Sequence, residues 1–229
     1  MVKSCDKIDA QKYLYLVMRT LELFKGGGSF SNWSDNRGYE TITVDILEKW
    51  KPTHCVDIME FDYKQYPVGY FDIIFCSPEC KIYSVLQYTW IGRKWKDRQQ
   101  LIDERKKHDK FFHKTIEIIN YLKPKYYVIE NPKVSAIWEI EFDNNLLSDI
   151  NYICLDYCRF GYAYRKQTKF LTNIKKNDMR CKCKGHSINL GISGKEALRR
   201  GVSVDNLSIK ERYSIPQDLF NYLFDNLLV

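Results

Sequence analysis

No stretch of this chain approaches the roughly 18 to 20 uninterrupted apolar residues that a membrane-spanning helix needs. Its first residues, Met1-Val2-Lys3-Ser4-Cys5-Asp6-Lys7, lack the apolar core of a secretory leader. Together these absences predict an intracellular protein with no membrane partner. There is no internal repeat and no low-complexity tract, which excludes solenoid and linker architectures. Eight cysteines (5, 55, 76, 80, 154, 158, 181 and 183) occur without a leader in a chain of 229 residues. They read as reduced thiols, one of them catalytic and a few available to a metal, rather than as a disulfide framework.

What is present suits a globular protein. Apolar residues make up 45% and aromatic residues 15% of the chain, enough to build one large core and to exclude disorder. The formal net charge of +7 is unevenly placed: residues 81–114 carry ten Lys/Arg against four Asp/Glu, and residues 165–184 carry eight against one. Two basic segments fit a polyanionic partner. The same charges also suit the solvated helix faces of a lysine-rich protein.

Hydrophobic patterning predicts a helix over 8–18, then strands over 19–24, 39–45 and 53–58. Two further strands follow at 71–76 and 126–131. Between them, Leu101, Ile102, Phe112, Ile116, Ile119 and Tyr121 give a helical period that Pro124 stops. Strands over 151–158 and 168–172 lie close enough to pair as a hairpin. Strands alternating with helical segments predict an α/β fold with a mostly parallel sheet. The pattern is weakest over 174–210, so the expected division is a cofactor-binding and catalytic domain over 1–173, a small recognition region over 174–210 and a C-terminal helix within 211–229.

Three successive strand tips carry groups suited to a nucleoside. Gly26-Gly27-Gly28 follows the first strand and lets backbone approach a ligand closely. Phe30 and Ser31 stand where the last glycine of G-x-G-x-x-G would fall, so it is not that motif. Asp45, 19 residues past Gly26, ends the next strand and suits two ribose hydroxyls. Asp57 and Ile58 suit an adenine amino group and ring. Each acid alone also reads as a strand-end cap. The fourth strand stops at Ser77-Pro78-Glu79-Cys80 and the fifth at Glu130-Asn131-Pro132, which puts a thiol and an acid at one sheet edge. The basic stretch from Lys81 to Arg98 is expected to favour the Cys80 thiolate, whereas Cys76 reads as a small buried hydrophobe.

Leu21-Glu22-Leu23-Phe24-Lys25-Gly26-Gly27-Gly28-Ser29-Phe30 resembles the D-L-F-A-G-x-G-G-F cofactor motif of cytosine-5 DNA methyltransferases. Pro78-Glu79-Cys80-Lys81-Ile82-Tyr83-Ser84 is similar to their P-P-C-Q-x-F-S, and Val128-Ile129-Glu130-Asn131-Pro132 looks like their E-N-V. The variant spellings, with the segment Asp156 to Thr168, look closest to the compact enzymes of large DNA viruses and phages. The resemblance covers about residues 19–173. It implies a Rossmann-like methyltransferase that binds S-adenosylmethionine through Phe24, Gly26, Gly27, Gly28, Asp45, Ile46, Asp57, Ile58 and Pro78. It further implies that Cys80 attacks a cytosine flipped out of double-stranded DNA, that Glu130 holds the ring, and that Arg165 and Lys166 contact the base or its phosphates. A viral enzyme of this kind works in the cytoplasm or nucleus of its host.

The chain departs from the pattern in several places. Glu79 replaces the second proline and sets an acid beside the nucleophile, which raises a thiol's pKa. The Q-x-R-x-R element is partial, as Arg165, Lys166 and Lys169, and the terminal G-N motif is missing. Cys181, Cys183 and His186 have zinc-ligand residue types, with Cys158 as a fourth; surface thiols on a basic loop are the alternative. Two other activities stay open on the sequence: methylation of RNA cytosine, and a catalytically inactive nucleic-acid-binding relative.

Overall fold

The computed structural model describes residues 17–162, 165–182 and 213–227. Seven strands form one sheet: β1 (Arg19–Leu23), β2 (Glu40–Asp45), β3 (His54–Cys55), β4 (Ile73–Cys76), β5 (Tyr126–Pro132), β6 (Asn151–Asp156) and β7 (Gln167–Thr172). Their spatial order is β3-β2-β1-β4-β5-β7-β6. β1 through β5 run parallel to one another, whereas β7 runs antiparallel to both β5 and β6. This is the expected α/β fold with a mostly parallel sheet, and it carries an antiparallel hairpin at one edge. Most of the predicted helix over 8–18 lies outside the described residues.

The sheet is covered on both faces, as a parallel sheet must be. Along β4, Ile74 and Cys76 point into one core with Leu21, Leu23, Ile116, Ile119 and Ile129. Ile73 and Phe75 point into the other, with Phe30, Trp33, Val128, Phe220 and Phe224. The first core lies under α2 (Arg98–Leu122), whose start is capped by Asp97 accepting from the Gln100 N–H at 2.8 Å. The second lies under α1 (Ser29–Asp35) and α3 (Gln217–Phe224). Phe220 stands edge-on to Phe30 and Phe75 at centroid distances of 5.6 and 5.3 Å, and Trp33 Nε1 donates to Asn221 Oδ1 at 2.9 Å. The C-terminal helix thus packs both on the sheet, at Phe75, and on α1.

Two elements differ from the sequence expectation. The third strand has two residues instead of six, because Asp57 accepts its own chain's Met59 N–H at 2.9 Å and turns the backbone away from β2. Helix α1 follows the glycine turn directly and carried no periodic signal, being only seven residues long.

β1 and α1 are joined through a buried acid. Glu22 is 3% exposed, and its carboxylate accepts the Phe30 and Ser31 N–H groups at 3.3 and 3.1 Å. Those amides have no partners within the helix. Burial raises the Glu22 pKa from 4.5 to about 7, and the hydrogen bonds from Ser31 and Phe30 and the nearby Lys25 only partly oppose it. Between those two values the folded protein holds a proton that the unfolded chain has lost. This group's contribution to stability is therefore greatest below pH 4.5 and falls as pH rises to about 7. Urea unfolding across pH 4.5 to 8 is expected to show that decline, on the order of 3 kcal/mol. Glu22→Gln should flatten it while keeping one accepted hydrogen bond. An unchanged slope in the variant would assign the pH dependence to other groups.

Candidate active site

The register sets the C-terminal ends of the central strands side by side. Leu23 lies opposite Val44 and Cys76, and Cys76 lies opposite Ile129. The turns after β1, β2, β4 and β5 therefore share one edge, where the strand order reverses between β1 and β4.

The turn after β1 is held open by its backbone. Phe24, Gly26 and Gly28 adopt positive φ of 59°, 49° and 71°. A side chain at Gly28 would place its Cβ 2.8 Å from Ser31 Oγ, whereas at Gly26 the nearest neighbour would be 3.9 Å away. Gly28 is thus required by packing and Gly26 by conformation, which leaves the lumen beside Gly26 clear. The Gly26 N–H donates to Asp45 Oδ2 and the Leu47 N–H to Asp45 Oδ1, both at 2.8 Å. Asp45 therefore fixes the glycine turn to the tip of β2. A carboxylate has about four acceptor sites, so these two bonds leave capacity for hydroxyl donors.

Phe24, Val44, Asp45, Ile46, Val56, Asp57 and Ile58 line one hollow. It joins two carboxylates to an apolar slot, the acceptors and apolar surface that a ribose and an adenine ring need, so the residues present fit S-adenosylmethionine. Gly26, Gly27 and Pro78 line the adjoining hollow with Cys80, Glu130 and Lys166. All nine residues proposed from the sequence to bind the cofactor, apart from Gly28, face one of these two spaces.

Cys80 and Glu130 reach their hollow through a tie between two loops. Asn131, fully buried, donates from Nδ2 to the Pro78 carbonyl at 2.9 Å. Beyond Cys80 the chain is clamped by α2: Arg105, buried among apolar neighbours, donates to the Ile82 and Ser84 carbonyls at 3.1 and 3.2 Å. Tyr83 also donates to Asp109 at 2.8 Å. The base of the Lys81 to Arg98 stretch is thereby anchored, while Leu86 and Trp90 at its tip are exposed.

Glu130 accepts from Tyr157 Oη at 3.1 Å and lies 3.9 Å from Lys166 Nζ. Lys166 also stands over the Tyr157 ring at 4.8 Å. The Cys80 thiol is pushed above its ordinary range, first by burial and next by Glu130. Lys166 opposes this, and Glu79 adds a smaller rise. The stretch from Lys81 to Arg98 does not supply the stabilising cation expected from the sequence; Lys166, on the approach to β7, does. Cys76 is fully buried on β4 and its thiol is raised by burial.

Arg165 is not among the residues lining this space. Its Nε donates to Asp156 Oδ2 at 3.0 Å. Asp156 is fully buried, takes the Cys181 N–H at 2.8 Å and pairs with Arg180 Nε at 3.1 Å. A buried carboxylate needs such partners, and Arg165 is one of them. Cys181 is disulfide-bonded, and a disulfide sulfur is not a zinc ligand. Cys183 and His186 lie outside the described residues, and among the described residues no three acidic, His or Cys groups cluster as a metal site.

Sequence reading passed over Glu22, Arg105, Asn131 and Tyr157. A charged residue four positions after Leu101, on the apolar side of α2, was the available signal for Arg105. Asn131 sits inside a motif read for its acid alone.

No family model matches the chain. Over 162 residues it is 30% identical to the "Probable DNA (cytosine-5)-methyltransferase" of Frog virus 3 (isolate Goorha), covering 69% of this chain and 72% of that relative. The structure of Entamoeba histolytica methyltransferase EhMeth matches 92% of this chain and 99% of its own, with a TM-score of 0.53 at 15% identity. That likeness shows a shared fold. S. pombe Dnmt2 methyltransferase matches 70% of this chain at 18% identity and a TM-score of 0.44, and the match covers 51% of its own length, so this chain spans about half of it. The motifs at the strand tips and the identity to the viral relative lead to the same result, and this chain belongs to the DNA (cytosine-5)-methyltransferase family.

Proposed function

We propose that this protein methylates carbon 5 of cytosine in double-stranded DNA, using S-adenosylmethionine. The observation that carries the reading is the shared hollow of Cys80, Glu130 and Lys166, opening beside the hollow of Asp45, Asp57 and Ile58. Cofactor and base would then meet at one sheet edge. Phe24, Ile46 and Ile58 hold the adenine, Asp45 and Asp57 accept from the ribose and the amino group, and Gly26 and Gly27 give room to the methionine part. When bound, S-adenosylmethionine supplies the electrophilic methyl group that carbon 5 takes up.

A base inside a duplex cannot reach this edge, so it is flipped out at a cost of about a few kcal/mol. Cys80 Sγ, deprotonated, adds to ring carbon 6, and the electron pair displaced from the 5,6 double bond makes carbon 5 nucleophilic. Glu130 holds ring nitrogen 3 and the amino group where charge develops, and Tyr157 fixes the carboxylate. After methylation carbon 5 loses its proton and Cys80 leaves, restoring the double bond. Lys166 favours the thiolate and meets the phosphates along with the basic segments. Residues 174–210 serve as a reduced recognition region. Zinc has no part in this reading.

Incubation with labelled S-adenosylmethionine and unmodified DNA is expected to yield 5-methylcytosine on nucleoside analysis. Cys80→Ser should abolish the product, and Cys76→Ala should retain most of it. Label appearing only in RNA offered in parallel would move the substrate from DNA to RNA, and label in neither would support an inactive relative.

The cofactor site is tested by calorimetry. Asp45→Ala loses both the turn contacts and the proposed ribose acceptors, so S-adenosylmethionine should bind at least about tenfold more weakly, a loss of 1.4 kcal/mol or more. Equal affinity would place the cofactor elsewhere.

Glu130 is predicted to act on the thiol as well as on the base. Because its carboxylate raises the Cys80 pKa, Glu130→Gln should speed alkylation of Cys80 at pH 8 by about two- to tenfold while methylation is lost. Lys166→Ala should slow alkylation. Peptide mass spectrometry reads both, and opposite signs would overturn the proposed electrostatics.

A further inference from the structure

Three residues line both the nucleoside hollow and the catalytic hollow: Phe24, Ser77 and Glu79. Glu79 alone among them is charged. The other acids are divided, Asp45 and Asp57 lining the first space and Glu22 and Glu130 the second. A reactive group passing from cofactor to base crosses the junction of the two, and Glu79 is the acidic residue that lines both.

Resting on the cofactor reading above, we infer that Glu79 is a specificity-determining residue, setting the preference of this pocket for the charged methyl donor over its demethylated product. S-adenosylmethionine and S-adenosylhomocysteine share their adenosine, amino and carboxylate groups. They differ in one methyl group and in one charge, a sulfonium cation against a neutral thioether. A carboxylate at the junction attracts the first and has no such attraction for the second. Glu79 stands where the family pattern has an uncharged proline, so this bias belongs to the present chain. It favours loading of the donor and release of the product. The cost falls on the nucleophile, because the same charge adds to the rise in the Cys80 pKa.

The surroundings leave the charge available. The Glu79 side chain is 54% exposed, and its carboxylate faces the His108 imidazole, with Nδ1 at 3.7 Å from Oε2. Lys81, Lys94 and Glu104 line the outer hollow that Glu79 shares with His108. A residue present only to tie the loop to α2 through His108 would affect both ligands alike.

Calorimetric titration of the full chain with each ligand gives the ratio of the two dissociation constants, in which the contributions common to both ligands cancel. Glu79→Gln is expected to lower the preference for S-adenosylmethionine by about three- to tenfold, the size of a charge interaction across several ångströms of partly solvated protein. Affinity for S-adenosylhomocysteine should change little. Glu79→Pro should do the same, providing a second variant should the first fail to fold. His108→Gln, which breaks the pair but keeps the carboxylate, should not lower the ratio. Added salt should reduce the wild-type preference, because the carboxylate is partly exposed. An unchanged ratio in the Glu79 variants would overturn this inference alone. Wild-type protein that binds neither ligand would overturn the cofactor reading and this inference with it.

Discussion

Asn131 is wholly buried and gives its Nδ2 proton to the Pro78 carbonyl, so the turn after β4 cannot move independently of the tip of β5. A buried amide without such an acceptor would cost about 1–3 kcal/mol. The bond therefore defines a single arrangement of the two loops. Cys80 is two residues from one end of it and Glu130 one residue from the other, so the thiol and the acid inherit their separation from this tie. The parallel register of β4 on β5 brings the two tips to the same height. Arg105, reaching from α2 to the Ile82 and Ser84 carbonyls, anchors the chain just beyond the Cys80 thiol.

The same edge carries electrostatic tension. Burial and Glu130 both oppose ionisation of Cys80, and Lys166 is the one cation that favours it to a notable degree. A resting thiol held in its neutral form is protected from adventitious chemistry. In the proposed reaction, a cytosine beside Glu130 would offer that carboxylate a partner and so weaken its hold on the thiol proton. On the proposed mechanism this would couple activation of the thiol to occupancy, in keeping with catalysis by preorganised charge. Asp45 shows a related economy. Its carboxylate closes the glycine turn through two backbone amides, and the turn is the very surface that the cofactor is proposed to meet.

Buried ionic groups away from the edge shape what the site can use. Asp156 gathers Arg165, Arg180 and the Cys181 amide at the end of β6. Met179 joins the same edge, exchanging backbone hydrogen bonds with Cys154 and Asp156 at 3.1 and 3.0 Å. The chain leaving β7 is thereby fastened along β6 before it enters residues 183–212. Arg165 belongs to that anchor, and Lys166, its neighbour in sequence, turns to Glu130. Alternation along an extended chain sends adjacent side chains to opposite sides, which explains how one dipeptide serves two roles.

The sequence by itself determined where most of the strands run and which residue types stand at their tips, although the third strand proved shorter than its pattern. Strongly apolar runs such as Ile73-Ile74-Phe75-Cys76 that end at Pro or Gly are local signals, and local signals survive without knowledge of the fold. Composition and motif spelling were likewise enough for the family resemblance that the viral relative bears out. Only the tertiary structure decided which charges meet. The basic stretch after Cys80 looked like the nucleophile's support, yet Lys166, 86 residues further along the chain, is the cation beside it. Arg165 looked like a contact to the base, yet a buried acid nine residues earlier claims it. Glu22 read as a motif spelling, whereas its burial against the start of α1 shifts its titration toward neutrality. Pairing energies in a low-dielectric interior depend on distance and burial, and neither quantity is written in the order of residues.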